Sequence, residues 1–184
     1  SSKTTSYTVT DADRGGSIRF AGLGADATLT LPAASGRAGF VLYVSNEDTT
    51  DTTPWGVIFD PNAAELLDTF ATRKGYTGTR VTLFCDGTGW RTVSGFYRYF
   101  SGDQTITGAG ALTLAHGLGV RPRRISAELK NTTGEFNYTA GDVVPVGPSG
   151  DDEGTNNRNH TMVIDATNLN VRFSTGASAY IGMN

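Results

Sequence analysis

Chemistry has few places to come from in this sequence. It holds two histidines, His116 and His160, one cysteine, Cys85, and three lysines in 184 residues. Nucleophilic catalysis at serine needs a base held against the hydroxyl, and only the two histidines could serve. Neither belongs to a Gly-x-Ser-x-Gly elbow or another triad motif. His116 stands in His116-Gly117-Leu118-Gly119 at an expected strand end, where a hydrogen bond to the turn accounts for it. No P-loop and no Gly-x-Gly-x-x-Gly fingerprint is present, so nucleotide binding is not expected. The densest carboxylates are Asp151, Asp152 and Glu153. Glycoside hydrolysis needs two carboxyl groups, about 5–5.5 Å apart for retention or about 6.5–9.5 Å for inversion. One of them must be raised by apolar surroundings, and this Gly-rich stretch has none. With Asn156 these groups offer oxygen ligands for calcium, but their spacing does not match an EF-hand loop. The expectation is a protein without catalytic residues, metal or cofactor.

The composition agrees with a scaffold. Charged residues are 18%, against about 25% in an average domain, and 24 Gly and 27 Thr fill the difference. That excludes a coiled coil or long-helix protein. Sixteen Phe and Tyr and two Trp, spread along the chain, argue against disorder. The net charge is −3, and the only basic cluster is Arg121, Arg123 and Arg124, so no nucleic-acid partner is expected. No apolar run approaches the roughly 18 residues of a membrane span, so no membrane insertion is expected. The start at Ser1 without Met, and without a signal-peptide pattern, reads as a trimmed or partial product. Cys85 excludes an internal disulfide and reads as a small buried residue on a strand.

The elements that must position these residues announce themselves by period two. Tyr7–Thr10, Ser17–Phe20 and Ala27–Leu31 alternate, are rich in β-branched residues and close on Gly, Asp or Pro, the pattern of strands ending in tight turns. Gly39–Asn46 reads as a central strand and Val57–Asp60 as another, stopped by Pro61. Arg80–Cys85 and Trp90–Val93 flank Asp86-Gly87-Thr88-Gly89, a hairpin signal. Trp90 is expected in the core against Phe84 and Phe40. Ala63–Ala71 is helical in composition, and one helical turn and a strand are both open readings. The first part is thus an all-β unit of seven or eight strands.

Behind Ser94-Gly95 comes the aromatic run Phe96-Tyr97-Arg98-Tyr99-Phe100, taken as the join between a unit at 1–94 and one at 95–184. Strand candidates resume at Gln104–Thr107, Ala111–Ala115, Arg124–Lys130, Phe136–Thr139, Asp142–Val146, Met162–Asp165 and Asn170–Phe173. Residues 147–159 contain no aliphatic or aromatic side chain and read as an exposed loop. Two β units this small have limited cores, which favours association with other chains.

Tyr7-Thr8-Val9-Thr10, Gly16–Phe20, Ala27–Pro32, Gly39-Phe40, Asp60-Pro61-Asn62 and Leu83-Phe84-Cys85-Asp86-Gly87-Thr88-Gly89-Trp90 together resemble a β module of bacteriophage fibre and spike proteins. Leu114–Gly119, Pro122, Tyr138, Gly141-Asp142 and Asp165-Ala166-Thr167-Asn168 are similar to a second phage module. Thr49–Trp55 departs from the shorter turn expected there. The resemblance implies an all-β fold of two small β-sandwich or β-prism-like modules, intertwined or packed as a homotrimer. It implies a non-enzymatic virion fibre or spike subunit, on tail or capsid surface. The module at 1–94 would join other virion proteins, and that at 95–184 would attach to host-cell-surface polysaccharide. A purely structural capsid-decoration or adaptor protein is the alternative. A depolymerase fragment is less favoured, because the chain is short for the β-helix that carries that activity.

Two groups of site residues follow. The aromatics Phe96, Tyr97, Tyr99 and Phe100 are the expected trimer interface, because they exceed what one small unit needs. Glycan recognition needs planar polar groups and an aromatic surface. Asp151, Asp152, Asn156, Asn157 and Arg158 supply the first, and Tyr138 the second.

Overall fold

The computed structural model describes residues 2–49, 55–105, 107, 109–134, 137–146 and 160–173. The described chain is all-β apart from one 3-10 turn at Asp11–Asp13. It divides into two compact units: Ser1–Gly102 with His116–Gly119, and Asp103–Ala115 with Val120–Asn184.

The first unit is built by alternation. Strands β1 (Ser2–Lys3), β3 (Ser17–Phe20) and β5 (Val41–Asn46) lie parallel in one sheet, while β2 (Tyr7–Thr8), β4 (Ala27–Thr30) and β6 (Val57–Asp60) lie parallel in the other. The chain therefore crosses between sheets at every step. Three antiparallel strands finish the two sheets: β7 (Arg73–Gly75) beside β6, β8 (Arg80–Cys85) beside β5, and β9 (Trp90–Phe96) beside β8. The orders are β1-β3-β5-β8-β9 and β2-β4-β6-β7, so the run at Gly39–Asn46 does hold the middle of its sheet.

Period-two alternation sends every second residue inward, to a core shared by both sheets. Ile18, Phe20, Leu42 and Val44 come from one sheet, and Ala27, Leu29, Val57 and Phe59 from the other. Cys85 is buried there. Trp90, opposite Cys85 in the ladder, is fully buried with its ring 5.5 Å from Phe40 and its Nε1 donating to the Pro32 carbonyl at 3.0 Å. Phe84 is not a partner: one residue from Cys85 on β8, it faces the other side of the sheet and is only half-buried. Asn46 ties the sheets together, its Nδ2 donating to the Trp55 and Gly75 carbonyls and its Oδ1 accepting from Asp48 N–H.

Several expected elements differ. β2 stops at Thr8 because Thr10 already caps the 3-10 turn, its N–H and hydroxyl both bonding the Asp13 carboxylate. Ala63–Ala71 is neither helix nor strand. Ala63 and Asp68 take positive φ, and buried Leu67 bridges to Phe70 and Trp90. The join expected after Ser94 falls inside β9, which runs to Phe96.

β9 carries an irregularity that explains a glycine. Leu83 opposes Thr92 and Thr82 opposes Ser94, leaving Val93 as the extra residue of a bulge. Gly95 follows at φ +103°, and a Cβ there would collide with the Arg80 carbonyl and the Val81 Cα. Only glycine meets both demands. The β8–β9 turn is shaped by Asp86, whose Oδ1 accepts from Thr88 N–H, Thr88 hydroxyl and Gly89 N–H at 2.7–2.9 Å.

In the second unit, β10 (Ala111–Ala115), β14 (Asn168–Phe173) and β13 (His160–Ile164) form an antiparallel sheet in that order, and β11 (Ala127–Lys130) pairs with β12 (Val143–Val146). The turn before β14 repeats the Asp86 device: Asp165 Oδ1 accepts from Thr167 N–H and hydroxyl and from Asn168 N–H. Residues 104, 105 and 107 are not in a strand, and neither are 137–139, where Asn137 takes φ +67°. β11 begins at Ala127, opposite Val146 of β12, rather than at Arg124.

Two measurements check this account. Gly95→Ala should destabilise the protein by about 2–4 kcal/mol in urea unfolding, since strained φ and a backbone clash act together. Hydrogen bonds from Thr88 and Gly89 hold the Asp86 pKa at about 2, below its ordinary 3.8. A depressed carboxylate contributes stability that is complete above its unfolded pKa and lost as pH falls through the folded one. Asp86→Asn should therefore flatten the loss of stability between about pH 4 and pH 2, read as urea midpoints across that range.

Candidate interaction surfaces

The aromatic run behind β9 divides its side chains. Phe96 points outward, opposite Arg80 in the ladder, and is 56% exposed. Tyr97 turns in, with its ring edge-to-face on Phe59 at 5.5 Å and the Arg73 guanidinium 3.7 Å over its face. Its hydroxyl meets the Thr92 hydroxyl at 3.1 Å, and burial raises its pKa. Tyr99 packs edge-to-face on Tyr76 at 5.2 Å and on His116 at 6.1 Å, and burial raises its pKa too. Phe100 is half-buried. Of the four expected interface aromatics, Tyr97 and Tyr99 thus have ring partners within their own unit.

Arg73 organises that region. Its guanidinium donates to Asp68 Oδ2 at 2.8 Å and to the Leu118 carbonyl at 3.3 Å. Asp68 also accepts from the Thr92 N–H and hydroxyl, so the positive φ of Asp68 serves to aim a carboxylate at β9. His116 is buried, and its Nδ1 accepts from Leu118 N–H at 3.2 Å. That is the turn-stabilising role expected of it.

The glycan-site residues are only partly in view. Asp151, Asp152, Asn156, Asn157 and Arg158 lie outside the described residues, and so does Glu153. Tyr138 is half-buried in the 131–142 connection between β11 and β12. Asn131 Oδ1 shapes that connection by accepting from Thr133 and Gly134 N–H, as Asp142 Oδ2 does from Thr139 N–H. Among the described residues no three His, Cys, Asp or Glu side chains gather where a metal ion could sit.

Two sheet faces are incompletely covered. In the second unit Leu112 opposes Val171 and Val171 opposes Met162, while Leu114 opposes Leu169 and Leu169 opposes Ile164. All six share one face of the three-stranded sheet, yet Val171 is the only apolar side chain buried in this unit among the described residues. In the first unit the outer face of the five-stranded sheet aligns Ser17, Tyr43, Thr82 and Ser94 across four strands. The next row is Arg19, Ser45, Arg80 and Phe96, and on the other side lie Val41, Phe84 and Arg91. Tyr43 is 49% exposed at the middle of this face. In the sequence this residue is masked by the apolar run Gly39–Asn46. The parity of Val41, Tyr43 and Ser45 against Leu42, Val44 and Asn46 carried the signal.

No family model and no curated protein matches this sequence.

Because Tyr97 packs against the core and Phe96 does not, their truncations should separate. Tyr97→Ala should cost about 3–5 kcal/mol of unfolding free energy, as for a buried ring. Phe96→Ala should stay within about 0.5 kcal/mol in the monomeric unit. Any effect of the run on subunit association is then read from the mass of Phe96→Ala.

Proposed function

We propose that this chain is a non-enzymatic subunit of a phage or phage-like virion fibre or spike, working as a homotrimer that attaches the particle to host-surface polysaccharide. The observation that carries the reading is the incompletely covered apolar face of Leu112, Leu114, Met162, Ile164, Leu169 and Val171, of which Val171 is buried and the other five are half-buried. A three-stranded sheet is stable only with a covered hydrophobic face. The other segments of the unit leave it only half covered. Residues 147–159 hold no aliphatic or aromatic side chain, and 174–184 add only Tyr180, Ile181 and Met183 beyond alanine. Further copies of the same sheet supply the missing apolar surface. A face without formal charge suits a copy of itself.

In this reading the first unit joins other virion proteins and the second meets the host. Tyr138 offers a sugar-stacking ring, and Asp151, Asp152, Asn156, Asn157 and Arg158 offer hydroxyl-binding groups. Single-site affinity is weak because a loop site must be ordered on binding, and three sites per trimer compensate through avidity.

Light scattering should return about three times 19.4 kDa, while a concentration-independent monomer would remove the trimer. Leu114→Glu with Leu169→Glu should dissociate it. Replacing residues 149–158 with a short Gly-Ser turn should leave the trimer intact and weaken binding to host cells. Undiminished binding would move the receptor site elsewhere.

A further inference from the structure

The outer face of the five-stranded sheet carries aromatic, hydroxyl and charged side chains in a regular arrangement, apart from the loops of the other unit. Neighbouring strands hold their side chains about 4.8 Å apart and alternate residues on one strand about 6.8 Å apart, so this face is a regular grid. Tyr43 sits at its middle, with Phe84 and Phe96 on the adjacent rows and Thr82 and Ser94 hydroxyls beside them, the two hydroxyls bonded at 2.9 Å.

The charges on the grid are unbalanced. Glu47 engages Arg19 at 2.7 Å and Asp86 engages Arg91 at 3.0 Å. Arg80, exposed between Ser45 and Phe96, forms no direct salt bridge among the described residues, although its charge reaches the Glu47 carboxylate that Arg19 already engages and helps to lower its pKa. It lies diagonal to Tyr43 across the β5–β8 ladder, a relation that spans about 7–8 Å. With Arg19, Arg80 and Arg91 facing only Glu47 and Asp86, this guanidinium beside a half-exposed phenol ring is complementary to a carboxylate attached to a pyranose.

We propose that this face binds an acidic, uronate-bearing polysaccharide. One sugar lays its C–H face on Tyr43 and a carboxylate pairs with Arg80. An acidic peptide fits less well. An extended peptide gains its affinity from main-chain bonds to a free sheet edge, whereas β5 and β8 are paired on both sides. The ligand class rests on the attachment reading above, but the site does not use the loops of the second unit.

The test uses the full chain with polygalacturonate as probe, and dextran and polyglutamate as controls, in affinity electrophoresis at low and high salt. Polygalacturonate should retard the protein, salt should weaken the effect, and the controls should not retard it. Tyr43→Ala and Arg80→Glu should each weaken retardation at least tenfold with mass and unfolding midpoint unchanged. Arg80→Gln, which keeps the stem, should fall between. The 149–158 replacement should still be retarded.

Retardation that survives Tyr43→Ala and Arg80→Glu would overturn the site and leave the attachment reading standing. Equal retardation by polyglutamate would reduce the face to a charge patch, and equal retardation by dextran would remove the acidic specificity. Each overturns the proposal. A lower mass in Tyr43→Ala would make the face an interface between copies, which also overturns it. No retardation of the parent protein by polygalacturonate overturns the proposal alone, since the attachment reading is judged by host-cell binding.

Discussion

Each parallel ladder of the first unit can form only after the chain has passed through the opposite sheet. β1 meets β3 with β2 in between, and β3 meets β5 with β4 in between. No sheet can therefore be completed independently of the other, and the inward residues of both must pack at once. Isolated two-residue strands such as β1 and β2 have little stability of their own. They persist because the Ile18, Phe20 and Leu29 core beneath their neighbours holds those neighbours in register.

The end of this winding is sealed around Trp90. Its indole packs on Phe40 and bonds Pro32, while its backbone pairs with Leu66 and Asp68 on the 62–71 turn. From there Asp68 grips Thr92 and Arg73, and Arg73 covers Tyr97. Arg73 is nearly buried, so its charge needs this full set of partners to be tolerated. The chain beyond β9 is thereby turned back over its own unit, which is why two aromatics of the 96–100 run are packed within it.

Strand positions were legible wherever alternation was undisturbed: Ser17–Phe20, Arg80–Cys85 and Ala111–Ala115 match to the residue. Pairing direction was not legible, because the side-chain period is two in parallel and antiparallel sheets alike. The 62–71 turn was hidden because Leu, Glu and Ala suggest a helix, while the conformation is decided by the bridge of Leu67 to Trp90. The short β7 at Arg73–Gly75 was missed because it carries two cations and a glycine and borrows its order from β6. At the surface, Tyr43 was obscured by its apolar neighbours. Facing depends on parity within the strand, and the strand's composition hides it.

The return of His116–Gly119 to the first unit has a practical meaning for dissecting the molecule. A chain cut after Gly102 contains every strand of that unit but lacks the Leu118 carbonyl that Arg73 reaches and the imidazole that Tyr99 packs against. A chain cut after Gly119 keeps both but carries β10 without β14, its ladder partner among the described residues. No single scission separates the two units cleanly. Each is discontinuous in sequence, so a fragment designed from the linear order alone leaves an exposed stump on one side or the other.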